Sequence, residues 1–361
     1  MDEKSALIAM SGGVDSSVAA LCMLEKGYRL EGTTMRLYKW DGKYRPKTRT
    51  CCTDRDMNDA SEVAVKLGIP YTVTDYQEVF RTEVIEKFIR VYEEGGTPNP
   101  CIDCNRYLKF DRLLALAREK ELNYIVTGHY ARIERDETGR CHLRKAVDRT
   151  KDQSYVLFNL TQEQLRHTLF PLGEMTKDEV RQIAAEHGFV NAEKKDSQDI
   201  CFIPDGDYAS FIEKYTHTSF VPGHYLNTDG EVIGTHQGAI RYTIGQRKGL
   251  GVAFGEPMFV CDKSMEDNTV TLAREDAVFK TTLIADDLNW IAFDSLRESI
   301  RVRAKTRYRA KEADATVYPG EDGRVKVVFD EKQRAMTIGQ AVVFYDGDEV
   351  VGGGTILSVT D

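Results

Sequence analysis

A chain of 361 residues, at about 150 per domain, predicts two to three domains. Hydrophobic residues at 41% and charged residues at 30% are ordinary for a globular protein, and the lack of an apolar run of about 18 residues excludes a spanning helix. The 49 basic and 58 acidic residues leave a net charge of −9, which argues against bulk attraction to nucleic acid but leaves a local basic patch open.

The N-terminus places Asp2 and Glu3 before a short apolar stretch that runs into glycines. This is not a secretory signal, and a cytoplasmic location is the expectation. The eight cysteines are then not expected to form a structural disulfide set. In chain order, Ala6 to Met10 predicts a strand and Val14 to Lys26 a helix stopped at Gly27. Tyr28 to Leu37 predicts a strand, and Asp54 to Leu67 a helix ending at Gly68. Tyr71 to Thr74 reads as a strand. Glu78 to Glu94 has the helical period and stops at Gly95-Gly96. Phe110 to Lys120 predicts a helix and Tyr124 to Thr127 a strand. This alternation implies an α/β doubly wound parallel sheet with helices on both faces.

After about residue 204 the texture shifts to short runs, among them Gly238 to Tyr242, Met258 to Val260 and Thr269 to Leu272. Asp346-Gly347, between Val342–Tyr345 and Glu349–Val351, is a hairpin signal. The expected division is 1–204, a small mixed domain at 205–275, and a C-terminal β-barrel at 276–361.

Ser11-Gly12-Gly13-Val14-Asp15-Ser16-Ser17 lies between the first strand and the first helix. Glycines admit a phosphate without Cβ clashes, and the helix N-terminus aims N–H groups at it. Asp15 would repel a phosphate unless it holds Mg²⁺ against the phosphate oxygens. No Gly-Lys-Ser/Thr follows, so this is not the common nucleoside triphosphatase loop.

Asn99-Pro100-Cys101-Ile102-Asp103-Cys104 is expected on a loop, and Cys201 on a second loop or short strand. Two reachable thiols that meet can pass sulfur, one as a persulfide and the other resolving it as a disulfide. Cys201, beside Ile200, Phe202 and Ile203, also reads as a small core residue, as do Cys22, Cys141 and Cys261. Cys101 and Cys104 could be half a zinc site, but a second Cys-x-x-Cys is absent and the adjacent Cys51-Cys52 pair suits a tetrahedral site poorly. Three cysteines with one open position would suit an iron–sulfur cluster.

Arg301, Arg303, Lys305, Arg307, Arg309 and Lys311 occupy alternate positions. On one continuous strand they would line one face, a ridge able to follow a phosphate backbone. An edge strand charged against aggregation explains them as well.

Several strings together resemble the tRNA-specific 2-thiouridylases, a family of the PP-loop ATP pyrophosphatase superfamily. They are MSGGVDSS at 10–17, TPNPCIDCN at 97–105, TGHYAR at 127–132, KDQSY at 151–155, KKDSQDICFI at 194–203, YTIGQRKGLG at 242–251 and TRYR at 306–309. The resemblance implies wobble-uridine 2-thiolation: ATP adenylates uridine O2, and a Cys201 persulfide, with Cys104 as catalytic partner, delivers sulfur to C2. It implies ATP binding by Ala9, Met10, Ser11, Gly12, Gly13, Val14, Asp15 and Ser16, completed by Met35 and Gly128. It places the target base at Asn99, Pro100 and Cys101, and tRNA contacts at His129, Lys151, Asp152, Gln153, Arg307, Tyr308 and Gln340.

The implied partners are tRNAs for Lys, Glu and Gln with a wobble uridine, and a persulfide sulfur-donor protein. Many members carry Asp where this chain has Cys101, so Cys101 stands as a competing thiol or, with Cys104 and Cys201, as an iron–sulfur ligand. A PP-loop adenylating ligase acting on a small molecule is the alternative; it explains the loop but neither the thiols nor the basic ridge.

Overall fold

Strand β1 (Ser5–Ala9) is the central strand of the first sheet, with Ala6, Leu7 and Ile8 fully buried. Apolar residues on both faces are what a strand covered by helices on each side requires. The structure, a computed structural model, describes residues 4–38, 53–194, 200–203, 205–252 and 255–361. Helix α1 (Val14–Glu25) follows β1 and stops where Gly27 takes φ 78°. Strand β2 (Arg29–Arg36) leads to α2 (Asp54–Leu67), which begins in a capping box between Thr53 and Asp56 and ends at a left-handed Gly68. Such a cap contributes about 1 kcal/mol. Strand β3 (Tyr71–Asp75) comes next.

The predicted helix at 78–94 is α3 (Gln77–Phe80), a π-helical stretch over Arg81–Glu86, and α4 (Lys87–Glu93). A second composite helix starts with α5 (Pro100–Asp103), widens to a π-helical stretch over Cys104–Phe110 and continues as α6 (Asp111–Glu119). Strands β4 (Tyr124–Val126), β5 (Ala131–Arg135) and β6 (Cys141–Lys145) precede α7 (Gln162–Arg166), β7 (Thr168–Leu169) and α8 (Lys177–Glu186).

The chain divides into two units. The first comprises Met1–Ile85, Pro100–Gly206 and Asp348–Val350. Its parallel sheet has the order β3-β2-β1-β4-β7. Strand order reverses between β1 and β4, so the turns after these two strands flank the crevice where doubly wound sheets bind ligands. Val14, Val18, Ala60, Val63, Val126, Val180 and Phe189 belong to the core that packs α1, α2 and α8 on this sheet.

The second unit comprises Glu86–Asn99, Asp207–Gly347 and Val351–Asp361. It holds α9 (Tyr208–Thr216) and a small sheet built from β8 (Gly223–Leu226), β9 (Val232–His236), β10 (Phe259–Ser264) and β11 (Thr269–Ala273), in the order β10-β11-β8-β9. Beyond it lie β12 (Phe279–Trp290), β13 (Ile300–Lys305), β14 (Ala313–Pro319), β15 (Val325–Arg334), β16 (Ala341–Asp346) and β17 (Glu349–Thr360). They run β12-β15-β14-β13-β16-β17, and β12 pairs back with β17 to close a six-stranded barrel. Closure leaves no open edge.

The short run Gly238–Tyr242 is a 3₁₀ turn over Ala239–Arg241, entered through Gly238 at φ 108°. Two expectations need correction. The cysteine motif is not a loop. Pro100 opens a helix, where its missing N–H costs nothing because first-turn N–H groups lack helical acceptors. The basic ridge is broken: β13 ends at Lys305, so only Arg301, Arg303 and Lys305 alternate on a strand, with Val302 and Ala304 buried between them.

Candidate active site

The turn after β1 is tight for a steric reason. Gly12 has φ 70°, and a Cβ there would lie 2.1 Å from the carbonyl oxygen of Asp56. The turn after β4 is constrained likewise: a Cβ on Gly128 would lie 2.8 Å from the Asp15 carbonyl carbon. Gly128 therefore lets the β4 turn lie against the start of α1. Ala9 ends β1, Met10 is buried, and the Met10 N–H donates to the Thr33 carbonyl on β2 at 2.8 Å. Met35 is buried on the same strand.

The loop closes on itself. Ser16 and Ser17 donate their hydroxyls to the Gly13 carbonyl at 3.0 and 3.1 Å, and the Ser11 N–H donates to Ser16 Oγ at 3.2 Å. The loop's serine hydroxyls are thus engaged within it, which leaves the helix N-terminus, from Gly13 through Val14, as the anion-receptive element.

Asp15 stands in the first turn of α1. Lys177 Nζ donates to its two carboxylate oxygens at 2.7 and 2.8 Å, and the Tyr130 hydroxyl donates to Oδ1 at 2.8 Å. The Lys177 side chain is 5% exposed and that of Asp15 30%. Lys177 is the first residue of α8, fixed by the Thr176–Glu179 capping box, and its own N–H donates to Asp148 at 3.0 Å. A carboxylate with an exposed edge next to a phosphate-type loop is a fitting hard oxygen donor for Mg²⁺, since nucleotide oxygens and water ordinarily complete that ion's shell.

A second cation holds the other side of the loop. Lys194 Nζ donates to the Gly12 carbonyl at 2.8 Å, to Asp56 at 2.5 Å and to Asp59 at 2.8 Å. Asn191 Nδ2 donates to the same carbonyl at 3.1 Å and to Ser17 Oγ at 2.9 Å. Lys177, Lys194, Asn191 and Tyr130 were not singled out from sequence. The one available signal was local: Thr176-Lys-Asp-Glu179 is a capping-box string that puts a lysine at a helix start, where a cation is disfavoured.

Cys101 is exposed and Cys104 buried, on the first turns of one helix. Cys104 opens the π-helical stretch, a local widening often found at functional sites. The stretch is fastened through Asn105, whose amide donates to the Val156 carbonyl at 2.8 Å. Cys201 is half-buried, ahead of buried Phe202 and Ile203. The Phe202 ring meets Phe80 edge-on at 5.6 Å and 79°, and α3, which carries Phe80, packs on the Cys104 stretch. Both thiol-bearing segments therefore have α3 as a neighbour. Among the described residues no three or more His, Cys, Asp or Glu side chains are placed to hold a metal ion. Cys101, Cys104 and Cys201 as arranged do not fit a cluster ligand set. Cys51 and Cys52 lie outside the described residues. Cys141 is buried, and burial raises the Cys22 and Cys261 thiols above their ordinary pKa, as inert core cysteines behave.

The residues expected to touch RNA divide by what they already hold. Asp152 accepts from the Ala146 N–H and the Ser154 hydroxyl and braces the stretch after β6, and Gln153 accepts from the Tyr130 N–H and braces the β4–β5 connection. His129 is buried beside Phe110 and Phe170, with Thr127 Oγ1 at 2.8 Å from its Nδ1. Burial, reinforced by Lys109, depresses its pKa well below the usual histidine value, so it is neutral at pH 7 and not a cationic grip.

In the second unit, Arg307 Nη2 donates to the carbonyls of Ile244 and Ala335 and to Thr337 Oγ1, at 3.2, 2.5 and 2.6 Å. Gln340 donates to the Thr97 carbonyl at 2.8 Å, in the stretch before Asn99. Arg301 is paired bidentately with Asp330, and Arg303 lies 4.0 Å from Asp314. Acids thus offset part of the ridge. Tyr308 is exposed, with Lys305 over its ring at 5.6 Å, and Lys151 is half-exposed. No helix among the described residues is long and apolar enough to cross a membrane.

Comparison with known proteins agrees with this geometry. Residues 4–205 match the tRNA methyl transferase HUP domain, 209–274 the tRNA methyl transferase PRC-barrel domain, and 280–356 the aminomethyltransferase beta-barrel domain. The chain is 51% identical over 358 residues to the tRNA-specific 2-thiouridylase MnmA of Acetivibrio thermocellus, covering 99% of this chain and 100% of that one. It is 50% identical over 354 residues to the Clostridioides difficile protein of the same name, covering 98% of each. With the protein of that name from Symbiobacterium thermophilum it shares 51% identity over 358 residues, covering 98% and 92%. With a phosphate loop at the switch point of its parallel sheet, two thiol segments that both neighbour α3, and these full-length relatives, the chain belongs to the tRNA-specific 2-thiouridylase family.

Proposed function

We propose that this chain replaces O2 of a tRNA wobble uridine with sulfur, using ATP, and releases AMP and pyrophosphate. The observation that carries the reading is the placement in one unit of the phosphate-type loop and two cysteine segments that both neighbour α3. Residues 1–204 would do the chemistry, with 205–275 and 276–361 holding the tRNA.

The uridine must leave the anticodon stack to reach the site. O2 attacks the α-phosphorus and pyrophosphate leaves, its growing charge met by the N–H groups from Gly13 to Ser16. Asp15, steadied by Lys177 and Tyr130, would hold Mg²⁺. That ion, when bound, neutralises phosphate charge. Met35 and Gly128 would line the adenine end, and Asn99, Pro100 and Cys101 the target base.

A persulfide donor protein would load sulfur on Cys201. The Cys104 thiolate attacks Cys201 Sγ, a Cys104–Cys201 disulfide forms and hydrosulfide departs. Hydrosulfide adds to C2, and AMP leaves with the former O2. An external thiol then reduces the disulfide. A cluster route through Cys101, Cys104 and Cys201 is not drawn, because those side chains do not converge as ligands. Half-exposed Lys151 in the first unit and exposed Tyr308 in the second are the positions best suited to touch tRNA, whereas Arg307 and Gln340 hold backbone carbonyls within the second unit.

The test is a reaction of the protein with MgATP, a persulfide donor and a lysine, glutamate or glutamine tRNA, followed by nucleoside analysis. ATP-dependent 2-thiouridine is expected. No 2-thiouridine, together with pyrophosphate release that ignores RNA, would instead favour a ligase acting on a small molecule.

A further inference from the structure

We infer that Lys194 and Asn191 are positioning residues for ATP: they set the peptide plane between Gly12 and Gly13, and with it the phosphate affinity of the loop. This rests on the reading that the loop receives ATP phosphates.

The peptide bond is planar and trans, with no cis peptide among the described residues. The carbonyl and N–H of one peptide unit therefore lie in that plane and point in opposite directions. Half-buried Lys194 Nζ and buried Asn191 Nδ2 hold the Gly12 carbonyl on one side at 2.8 and 3.1 Å. The Gly13 N–H must then face the other side, at the N-terminus of α1. Gly12 is free to rotate as few residues are, so its peptide needs external fixing.

Two observations point to a purpose beyond packing. Lys194 also joins Asp56 and Asp59 of α2, and the Asp56 backbone carbonyl is the group that leaves no room for a Cβ on Gly12. One lysine thus ties the floor of the loop to its most constrained residue. Lys194 and Asn191 belong to the stretch 191–194 and not to the loop itself, so the orientation of the phosphate-binding N–H depends on that stretch. By linkage, ATP binding must stabilise that stretch in return.

The experiment measures ATP and adenosine affinity for the full chain without tRNA, in wild type, Lys194→Met and the triple variant Lys194→Met/Asp56→Asn/Asp59→Asn. The triple variant removes the carboxylates that Lys194→Met would strand, so it folds even where the single variant does not. A charge-assisted bond of this kind supports an expectation of about tenfold or more weaker ATP binding, with adenosine affinity unchanged because adenosine lacks phosphates. In turnover, the ATP KM should rise by that factor while kcat falls less than threefold. Wild-type ATP affinity in the folded triple variant overturns the inference, as does equal weakening of ATP and adenosine, which marks a general structural role. In wild type, ATP should slow amide exchange at residues 191–194, and unchanged exchange also overturns it. A wild-type protein that binds no ATP fails the functional reading itself, an outcome distinct from these.

Discussion

Lys177 Nζ lies 2.7 and 2.8 Å from the two carboxylate oxygens of Asp15, joining the first turn of α8 to the first turn of α1. The lysine stem is buried and its backbone is capped, so the ammonium has little freedom to follow Asp15 elsewhere. The pair both neutralises and aims the carboxylate in the first turn of α1.

Lys177→Met should therefore cut RNA-dependent pyrophosphate release by about 10²-fold or more, the scale of losing one preorganised charge. It should also lower the melting temperature, because it strands a partly buried carboxylate. Adding Asp15→Asn should restore the melt but not the rate. Melting curves and a pyrophosphate assay on both variants decide this. If the double variant melts no higher than Lys177→Met, the ion pair is not what the lysine supplies.

Cys104→Ser and Cys201→Ser should each abolish 2-thiouridine formation while leaving ATP affinity within a factor of about two, since neither thiol lies on the phosphate loop. Mass analysis should find a persulfide on Cys201 in the Cys104→Ser protein. Cys101→Ser should keep thiolation within about threefold, because Cys101 is exposed and is not part of a ligand group. Loss of activity in Cys101→Ser, paired with iron and sulfide in the wild-type protein, would revive the cluster route.

Much of this site was legible in the sequence because the signals were local. The loop between β1 and α1 and the Gly68 stop follow from residues within a few positions of each other. The companions of the loop were not legible, because Lys177 and Lys194 are 162 and 182 positions away from the groups they hold. Alternation alone also misjudged the basic ridge. It could not show that β13 ends at Lys305 or that Arg307 turns to carbonyls of residues 244 and 335. Pro100 misled for a related reason: proline breaks a helix interior but suits a helix start, and the two settings look alike until the following turns are seen.

Arg307 tests the difference between a structural and an RNA-binding arginine. Three acceptors converge on its Nη2. Arg307→Ala should cost about 1–3 kcal/mol of stability by stranding buried carbonyls. A lysine at this position cannot reproduce the planar fork, so Arg307→Lys should recover less than half of that loss. Denaturant unfolding of the two variants measures both. An Arg307→Ala protein as stable as wild type but weak for tRNA would return the residue to direct contact.

His142 supplies a pH signature. Its Nδ1 lies 2.6 Å from Glu349 and its Nε2 3.1 Å from Asp136. The Glu349 bond, helped by Asp136 against partial burial, raises its pKa above the usual value. A raised folded pKa means the folded state binds the proton more tightly than the unfolded chain does. The stabilisation is therefore complete below about pH 6.5, the unfolded value, and fades as pH climbs through the raised folded value. His142→Gln should melt clearly lower than wild type at pH 6, and the gap should close toward pH 9. Parallel thermal melts across that range would show it. A gap that stays constant with pH would mean the imidazole stabilises the fold by packing and not by its charge.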